Sequence, residues 1–311
     1  MITDFNLQIL IEPLLHWFAG HARVLPWREE PTPYRVWVSE IMLQQTRVEA
    51  VKPYFERFTK RLPDVEALAE CPEDELLKLW EGLGYYNRVR KAAIQVMEEH
   101  GGKLPADYEK LLKLKGIGSY TAGAIASIAY QIPVPAVDGN VFRILTRVAA
   151  DDTDIMKPSF RTLLEKELRE VMQGMEMPGA FNQALMELGA TVCVPNGAPL
   201  CEQCPWNSLC LARKEGRIAE LPVRTKAKAR RIEKRTVLVI RDNDKVAIRK
   251  RPEKGLLAGL YELPNVVGRY SQDEIVHLVK DMHLSPIRVQ KLENAKHIFS
   301  HIEWQMEGYA I

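Results

Sequence analysis

Four of the five cysteines lie within one short segment near residue 200. Cys193, Cys201, Cys204 and Cys210 are separated by seven, two and five residues. Thiols this close together in a chain expected to be cytosolic predict metal ligands rather than disulfides, whereas the isolated Cys71 is expected to be a small buried residue. Four thiolates hold either zinc or an iron-sulfur cluster, and the lack of paired Cys-x2-Cys motifs favours a structural 4Fe-4S cluster.

A glycine-rich turn lies at residues 116–118. Residues 111–127 (LLKLKGIGSYTAGAIAS) predict a helix that ends at Gly116 to Gly118 and a second helix that starts near Ser119. The glycines allow a tight turn, and the free amides of the new helix point outward with partial positive charge. The segment therefore predicts a seat for a phosphate that reads no sequence, with a plain corner between two helices as the alternative.

Two acidic residues have surroundings that favour opposite protonation states. Asp138 directly precedes an amphipathic helical run, which predicts an ordinary helix N-cap, and capping also favours the ionised carboxylate. Such an anion could stabilise a positively charged sugar intermediate. Glu40 is surrounded at helical spacing by apolar residues, and a buried carboxyl without a partner raises its pKa and holds a proton, as a general acid does. The alternative places Glu40 on a solvated helix edge.

Composition and net charge exclude few classes of protein. The chain has 311 residues, of which 46% are hydrophobic and 27% charged, and its net charge of +2 does not by itself predict a nucleic-acid binder. Residues 213–235 carry ten basic and three acidic side chains, which indicates either a solvated linker or a segment that follows phosphates. Helical spacing at the N-terminus and the lack of a run of about 18 apolar residues predict a cytoplasmic protein.

The pattern of hydrophobic residues predicts two domains. Residues 1–212 predict an all-α domain, residues 213–235 a basic linker, and residues 236–311 a smaller α+β domain. Strand-like runs at 236–241 and 246–250, separated by Asp-Asn-Asp, predict a hairpin. The chain ends at Ile311 just after a strand-like run, so we expect the second domain to be C-terminally incomplete.

With these motifs assembled, the chain resembles the adenine DNA glycosylases of the MutY family, within the endonuclease III helix-hairpin-helix superfamily. The likeness extends over nearly the whole length and is specific when its motifs are taken together. The stretches that carry it are LPWR (25–28), VSEIMLQQTRV (38–48), WEGLGYYNRVR (80–90), LKGIGSYTAGAI (114–125), VDGNVFRIL (137–145), NQALMELGA (182–190), the four-cysteine segment and HIFSH (297–301).

The resemblance implies a role for individual positions. Glu40 would protonate N7 of a flipped adenine and Asp138 would stabilise the oxocarbenium-like sugar, which Tyr120 and Asn140 would position. Gly116 and Gly118 would belong to the phosphate-binding hairpin. The adenine pocket would be lined by Trp27, Arg28 and Glu187. Residues that would wedge into the duplex or touch the opposite base, 8-oxoguanine or guanine, are Gln45, Thr46, Leu83, Tyr85, Phe299, Ser300 and His301.

Tyr120 predicts the type of reaction. Bifunctional relatives have a lysine here that attacks the sugar, and tyrosine cannot form that Schiff base, so simple hydrolysis on double-stranded DNA by a monomeric enzyme is expected. A bifunctional enzyme acting on oxidised pyrimidines, and a DNA-binding module without catalysis, are the alternatives.

The second domain resembles a Nudix-like lesion-sensing module. No run of spaced glutamates like the Nudix metal box is present, so nucleotide hydrolysis is not expected. Two features depart from the family pattern: the first cysteine gap has seven residues where the family usually has six, and the second domain stops early.

Overall fold

The computed structural model describes residues 1–44, 46–83, 86–225, 229–252, 254–299 and 301–311, without the side chains of residues 86–88. The chain divides into two compact units, Met1–Thr225 and Lys226–Ile311. The boundary falls inside the segment predicted to be a linker. In the described part of the chain, no helix is long and apolar enough to cross a membrane.

The described residues of the first unit form helices and turns. Short 3-10 turns lie at Ile2–Asp4, Leu7–Leu10 and Cys201–Gln203, and a π-helical turn lies at Ile125–Ala129. The α-helices are α1 (Ile11–His21), α2 (Pro26–Glu29), α3 (Pro33–Met42), α4 (Val48–Arg61), α5 (Val65–Glu70), α6 (Glu73–Leu79), α7 (Tyr86–His100), α8 (Tyr108–Leu112), α9 (Ser119–Ala124), α10 (Gly139–Val148), α11 (Pro158–Val171), α12 (Pro178–Thr191) and α13 (Leu211–Lys214).

Two hydrophobic cores hold the first unit together. One contains residues of α3 to α9, including Phe58, whose ring meets Trp80 edge-on at 5.1 Å between centroids. The other joins α1, α10, α11 and α12 to Trp206, whose indole N–H donates to the Leu10 carbonyl at 3.0 Å. Because burying one such large side chain contributes about 1.5–3 kcal/mol, these cores fix the helices that carry the polar residues.

Helix α3 is buried on nearly every side. Thr32 caps its N-terminus by accepting from the Arg35 amide at 3.3 Å, and Pro33 occupies the first turn, where a missing N–H costs nothing. From Val36 to Met42 every residue is buried. A helix that is buried all round must bury any polar residue it carries, which is why Glu40 lies inside the protein.

The predicted hairpin joins α8 to α9. Gly116 has a positive φ of 81°, and Gly118 caps α9. Further along, Gly123 lies against the next segment so closely that a Cβ there would be 2.2 Å from the Pro135 carbonyl oxygen. The buried Asn182 of α12 donates to the Val134 carbonyl and accepts from the Ala136 amide. The segment leading to Asp138 is thus fixed from two sides.

The second unit contains a mixed sheet with one helix on a face. The sheet has the order β6-β1-β9-β7, β8 also pairs with β9, and β1 and β9 run parallel from Arg231 opposite Ile302 to Val239 opposite Ala310. Ile275 and Val279 of the helix pack against Leu238 and Tyr309. The elements are β1 (Arg231–Val239), β2 (Arg241–Asp242), β3 (Lys245–Val246), β4 (Arg249–Lys250), β5 (Tyr261–Glu262), β6 (Asn265–Val267), α14 (Gln272–Asp281), β7 (Gln290–Lys291), β8 (Ala295–Ile298) and β9 (Ile302–Ala310).

The predicted hairpin of the second unit forms, but it is shorter than predicted. Its turn contains Asn243, which has a positive φ of 54°, and joins β2 to β3 with Arg241 opposite Val246. Most of the first predicted run belongs instead to β1, which begins at Arg231 inside the predicted linker and pairs with β9 and β6. The end of the second run forms β4, which pairs with β5.

Candidate active site and cysteine cavity

A cavity of about 280 Å³ opens in the first unit, and the two acids singled out from the sequence both lie on its wall. Glu40 comes from α3, Tyr120 from the first turn of α9, and Asp138 from the residue that precedes α10. Other predicted residues on the same wall are Trp27, Arg28, Thr46, Asn140 and Glu187. A concave site that gathers polar and ionisable groups is the usual form of a catalytic pocket.

The surroundings of Glu40 favour the protonated, uncharged form of its carboxyl group. Only 6% of its surface is exposed, and the Tyr120 hydroxyl donates to its Oε2 at 2.6 Å. Burial, aided by the nearby Asp138 charge, raises the pKa of Glu40 to about 7, although the Tyr120 hydrogen bond and the Arg28 charge oppose the shift. A carboxyl that is substantially protonated near neutral pH is suited to give a proton to a bound molecule.

Asp138 is the N-cap of α10, as its position before an amphipathic run predicted. Its Oδ1 accepts from the amides of Asn140 and Val141, each at 2.8 Å, and its Oδ2 accepts from the Asn140 side chain at 2.7 Å. Burial raises the pKa of Asp138, but these N–H donors and the Arg143 charge oppose that rise. Donors on both oxygens match the ionised form, which has no proton of its own to place.

Arg143 orients the Asn140 amide and links it to the cysteine segment. Its Nη2 donates to Asn140 Oδ1 at 2.7 Å, and since arginine only donates, the Asn140 amide nitrogen must face Asp138. The same guanidinium donates through Nε to the Cys193 carbonyl at 2.8 Å and through Nη2 to the Gly189 carbonyl at 2.8 Å. Helix α10 therefore connects the cavity to the first of the four clustered cysteines.

A buried carboxylate clamped by two arginines forms another part of the wall. Glu187 is 1% exposed, and it accepts from Arg23 at 2.6 and 3.0 Å and from Arg28 at 2.9 Å. Burial acts to raise the pKa of Glu187, but these hydrogen bonds and charges lower it overall, so the group is ionised. Sequence reasoning missed Arg23, because a single arginine before the LPWR stretch carries no local signal of its distant partner.

Close packing between α12 and α10 predicts a strong effect of a small substitution. A Cβ added at Gly189 would lie 2.6 Å from the Asn140 Cβ, closer than real Cβ atoms approach. We expect Gly189→Ala to displace Asn140 and Asp138. The rate of the reaction catalysed at this cavity, measured in a single turnover, should fall about 10- to 100-fold. Gly20→Ala in α1 is the control, since nothing lies within 4 Å of its added Cβ. A wild-type rate for Gly189→Ala would contradict this packing argument.

Of the residues assigned to the DNA wedge, Gln45 and Tyr85 lie outside the described residues, as does Ser300 of the second unit. Leu83 packs against the first hydrophobic core and does not line the cavity. In the hairpin, a Cβ on Gly118 would meet nothing within 4 Å, so its backbone borders open space. The first amides of α9, which have no acceptor within the helix, begin next to this open space.

Phe299 and His301 lie in the second unit at the turn between β8 and β9. The Phe299 amide donates to the Ile302 carbonyl at 2.8 Å, and the His301 carbonyl accepts from the Arg231 amide at 3.1 Å. The Phe299 ring contacts Trp304 edge-on at 4.9 Å between centroids and remains partly exposed. The turn thus presents an aromatic side chain that packs against Trp304 and stays partly exposed.

The four clustered cysteines line one cavity in the first unit, and all four thiols are free. Arg147 donates to Cys193 Sγ at 3.3 Å, and burial raises the pKa of Cys204 to about 12, so this thiol stays protonated unless a cation stabilises the thiolate. Among the described residues, no three metal-ligating side chains converge tightly enough for a single ion. Four thiols around a shared cavity are a donor set that fits an iron-sulfur cluster. Cys71 is buried in the first core, as predicted.

Comparison with known proteins defines first the class of the chain. Residues 38–170 match the HhH-GPD superfamily of base excision DNA repair proteins, and residues 236–311 match the NUDIX domain. A thermostable thymine-DNA glycosylase covers 69% of this chain and all of its own, with 24% identity and a TM-score of 0.59. An endonuclease III in a DNA complex covers 68% of this chain and 98% of its own, with 21% identity and a TM-score of 0.56.

Curated relatives then define the family. The adenine DNA glycosylase of Mus musculus is 37% identical over 96% of this chain and 69% of its own, and that of Homo sapiens is 35% identical over 96% and 66%. The adenine DNA glycosylase of Buchnera aphidicola subsp. Schizaphis graminum is 33% identical over 95% of this chain and 85% of its own. The chain belongs to the adenine DNA glycosylase family. The predicted family, enzyme class, and order of a helical domain followed by a Nudix-like domain are confirmed.

Proposed function

We propose that this enzyme removes adenine paired with 8-oxoguanine or guanine from double-stranded DNA, by hydrolysis and without cutting the strand. The observation that carries the proposal is the pair of acids on the wall of one cavity. The pKa of Glu40 is raised to about 7, and Asp138 accepts hydrogen bonds on both of its carboxylate oxygens. We place the activity in the cytoplasm and in a monomer. Since an adenine inside the duplex cannot reach this cavity, the base must first flip out of the stack.

Glu40 supplies the proton that makes adenine a better leaving group. Protonation of adenine at N7 as the glycosidic bond breaks lets the base depart neutral rather than as an anion. A positioned general acid contributes about 10² to 10⁴ in rate. Trp27, Arg28 and the clamped Glu187 form part of the same cavity wall and are suited to hold the base against Glu40.

Asp138 stabilises the positive charge that develops on the sugar. A fixed anion in a site with little water stabilises such a charge far more strongly than it would in bulk solvent. The Asn140 side chain keeps one carboxylate oxygen in place, and Arg143 keeps Asn140 in place. Water then completes the hydrolysis, because Tyr120 has no amine with which to form a Schiff base.

The test of this proposal is strand cleavage after alkali treatment in duplexes with one adenine opposite 8-oxoguanine, guanine or thymine. We expect cleavage at adenine opposite 8-oxoguanine and guanine, only after alkali and with no cleavage opposite thymine. Cleavage without alkali, or a protein-DNA adduct trapped by borohydride, would instead identify a bifunctional enzyme. Lack of base release from every duplex would identify a binding module without catalysis.

The pH dependence of base release follows from the raised pKa of Glu40. The acid form of Glu40 dominates below a pKa of about 7, so the single-turnover rate should fall about tenfold per unit well above pH 7. Below pH 7 the rate should level off, and it should fall again at lower pH as Asp138, whose pKa burial raises, takes up a proton. Tyr120→Phe removes a hydrogen bond that lowers this pKa, so the alkaline limb should move to higher pH. The exposed Tyr261 provides the control Tyr261→Phe. A limb that stays in place in Tyr120→Phe would show that another group titrates.

We further propose that Cys193, Cys201, Cys204 and Cys210 hold a 4Fe-4S cluster. The support is their arrangement around one cavity together with the arginine that donates to Cys193 Sγ. Such a cluster would supply a rigid, thiolate-bound centre that braces the segment beyond α12. The link from the Cys193 carbonyl through Arg143 to Asn140 then connects that segment to the site of base release.

Elemental analysis tests the cluster. We expect about four iron atoms and four sulfides per chain with visible absorption in the wild type, and loss of iron in Cys204→Ser. Cys71→Ser is the matched control, because Cys71 is free and lies in the other core. One zinc atom per chain without sulfide would contradict the cluster and support a mononuclear site.

A further inference from the structure

One face of the sheet in the second unit carries a row of large polar and aromatic side chains. Because β1 and β9 pair with Glu233 opposite Trp304, and β8 and β9 pair with His297 opposite Trp304, these three residues are lateral neighbours. Lateral neighbours point to the same face of a sheet. Leu238 and Tyr309, which contact α14, have the opposite parity, so the row lies on the face away from the helix.

Two arginines contact the Trp304 ring. The Arg235 guanidinium lies 4.2 Å and the Arg251 guanidinium 5.5 Å from the Trp304 ring centroid. Trp304 is 8% exposed, and its indole N–H has no hydrogen-bond partner among the described residues, so contacts with the ring itself hold it in place. A cation above an aromatic face is an attractive arrangement, most so when water is excluded.

Both arginines are themselves held by carboxylates. Arg235 pairs with Glu233 at 2.6 Å, and Arg251 pairs with Glu262, which also binds Arg249 at 2.8 Å. Each guanidinium therefore has a fixed plane and position. The indole cannot shift without disturbing these ion pairs.

Trp304 in turn supports the turn that carries Phe299. The two rings meet at an interplanar angle of 71°, and the His297 ring also packs against Phe299, at 4.5 Å between centroids. Arg230 donates to the Phe299 carbonyl at 3.2 Å. The part of the Phe299 ring that stays exposed is the part available to a DNA base.

We infer that Trp304 is a positioning residue that determines where Phe299 meets the base opposite adenine, and so sets the preference for 8-oxoguanine over guanine. The inference rests on the proposed function and on the family resemblance, which implies that Phe299 would touch that base. Trp304 does not touch the DNA. It acts by fixing the Phe299 ring, because an edge-to-face contact restricts both the position and the tilt of a ring.

The test uses the full chain and two duplexes, with adenine opposite 8-oxoguanine or opposite guanine. We expect Trp304→Leu to lower the ratio of the two single-turnover specificity constants about threefold to tenfold, the range that loss of one aromatic contact predicts. The loss should fall on the 8-oxoguanine duplex alone. Tyr261→Leu replaces an aromatic residue that is 59% exposed, and this control should keep the wild-type ratio.

A milder variant covers the case in which Trp304→Leu unfolds the second unit, which thermal unfolding would reveal. Arg235→Lys keeps the charge beside Glu233 but loses the planar group above the indole, so it should lower the same ratio by a smaller factor. A wild-type ratio in Arg235→Lys and in folded Trp304→Leu would overturn the inference while leaving the proposed function intact. A wild-type enzyme with no preference between the duplexes would also overturn the inference alone, whereas a lack of base release from both duplexes would overturn the proposed function.

Discussion

Replacing Glu40 with glutamine is expected to abolish adenine release while leaving DNA binding intact. The glutamine side chain has the same size, and its carbonyl oxygen can accept the hydrogen bond that Tyr120 now donates at 2.6 Å to Oε2. It has no acidic proton to transfer, so the general-acid contribution of about 10² to 10⁴ in rate should be lost. Single-turnover base release and fluorescence anisotropy with the same adenine:8-oxoguanine duplex measure the two properties separately.

The control for Glu40→Gln is Glu66→Gln, which removes the same charge from an exposed position in the first turn of α5. It should behave as the wild type in both assays. Near-wild-type base release by Glu40→Gln would show that adenine is protonated by another group. A parallel loss of DNA affinity and rate would show that Glu40 contributes to binding rather than to proton transfer.

The features of the site that the sequence predicted are local ones. The glycine turn, the N-cap at Asp138 and the apolar surroundings of Glu40 each depend on residues within a few positions, and helical periodicity reads such neighbourhoods well. Because Glu40 and Asp138 lie far apart along the chain, the sequence does not show that they share a cavity. The packing of α3 against α9, and of α10 against α12, brings them together, and periodicity does not reveal which helix faces will meet.

The features that the sequence did not predict are long-range polar contacts. Arg23 lies far from Glu187 along the chain, and Arg143 reaches both Asn140 and the Cys193 carbonyl. Nothing in the residue type distinguishes these arginines from solvated ones. Their burial next to partners is a consequence of tertiary packing, which local propensity does not encode.

The second unit shows the same limit in its strands. The hairpin at Asn243 could be predicted, because Asn tolerates a positive φ, but only two residues of each strand pair across it. Strand β1 pairs in parallel with β9, about seventy residues along the chain, and begins among the charged residues predicted to be linker. Its first residues, Arg231 to Arg235, are stabilised by pairing with β9 rather than by their own β propensity.

The environment of each acid explains how one cavity can hold a proton donor and an anion together. Burial raises the pKa of both carboxyls, so burial alone does not distinguish them. The difference lies in the donors: from the described residues, Glu40 accepts one hydroxyl hydrogen bond, whereas Asp138 accepts three from N–H groups. Because the Asp138 charge also raises the pKa of Glu40, ionisation of one acid keeps the proton on the other.

Asp138→Asn is accordingly expected to lower base release about 10²- to 10³-fold, the cost of removing a preorganised charge from the transition state. Asparagine is also a good N-cap, so its oxygen can still accept from the Asn140 and Val141 amides. Its amide nitrogen would face the Asn140 amide nitrogen, which cannot turn away because Arg143 donates to the other end of that group. The pKa of Glu40 should fall once the neighbouring charge is gone, and its alkaline limb should move to lower pH.

Asp64→Asn is the matched control, because Asp64 caps α5 by accepting from the Ala67 amide at 2.8 Å on an exposed surface. Both variants keep a capping side chain and lose one negative charge, so any difference between them arises from the cavity. Asp64→Asn should retain the wild-type rate and the wild-type pH profile. If Asp138→Asn released adenine as fast as Asp64→Asn, or if its alkaline limb stayed in place, the carboxylate would have no electrostatic role in breaking the bond, and stabilisation of the sugar cation would have to come from elsewhere in the cavity.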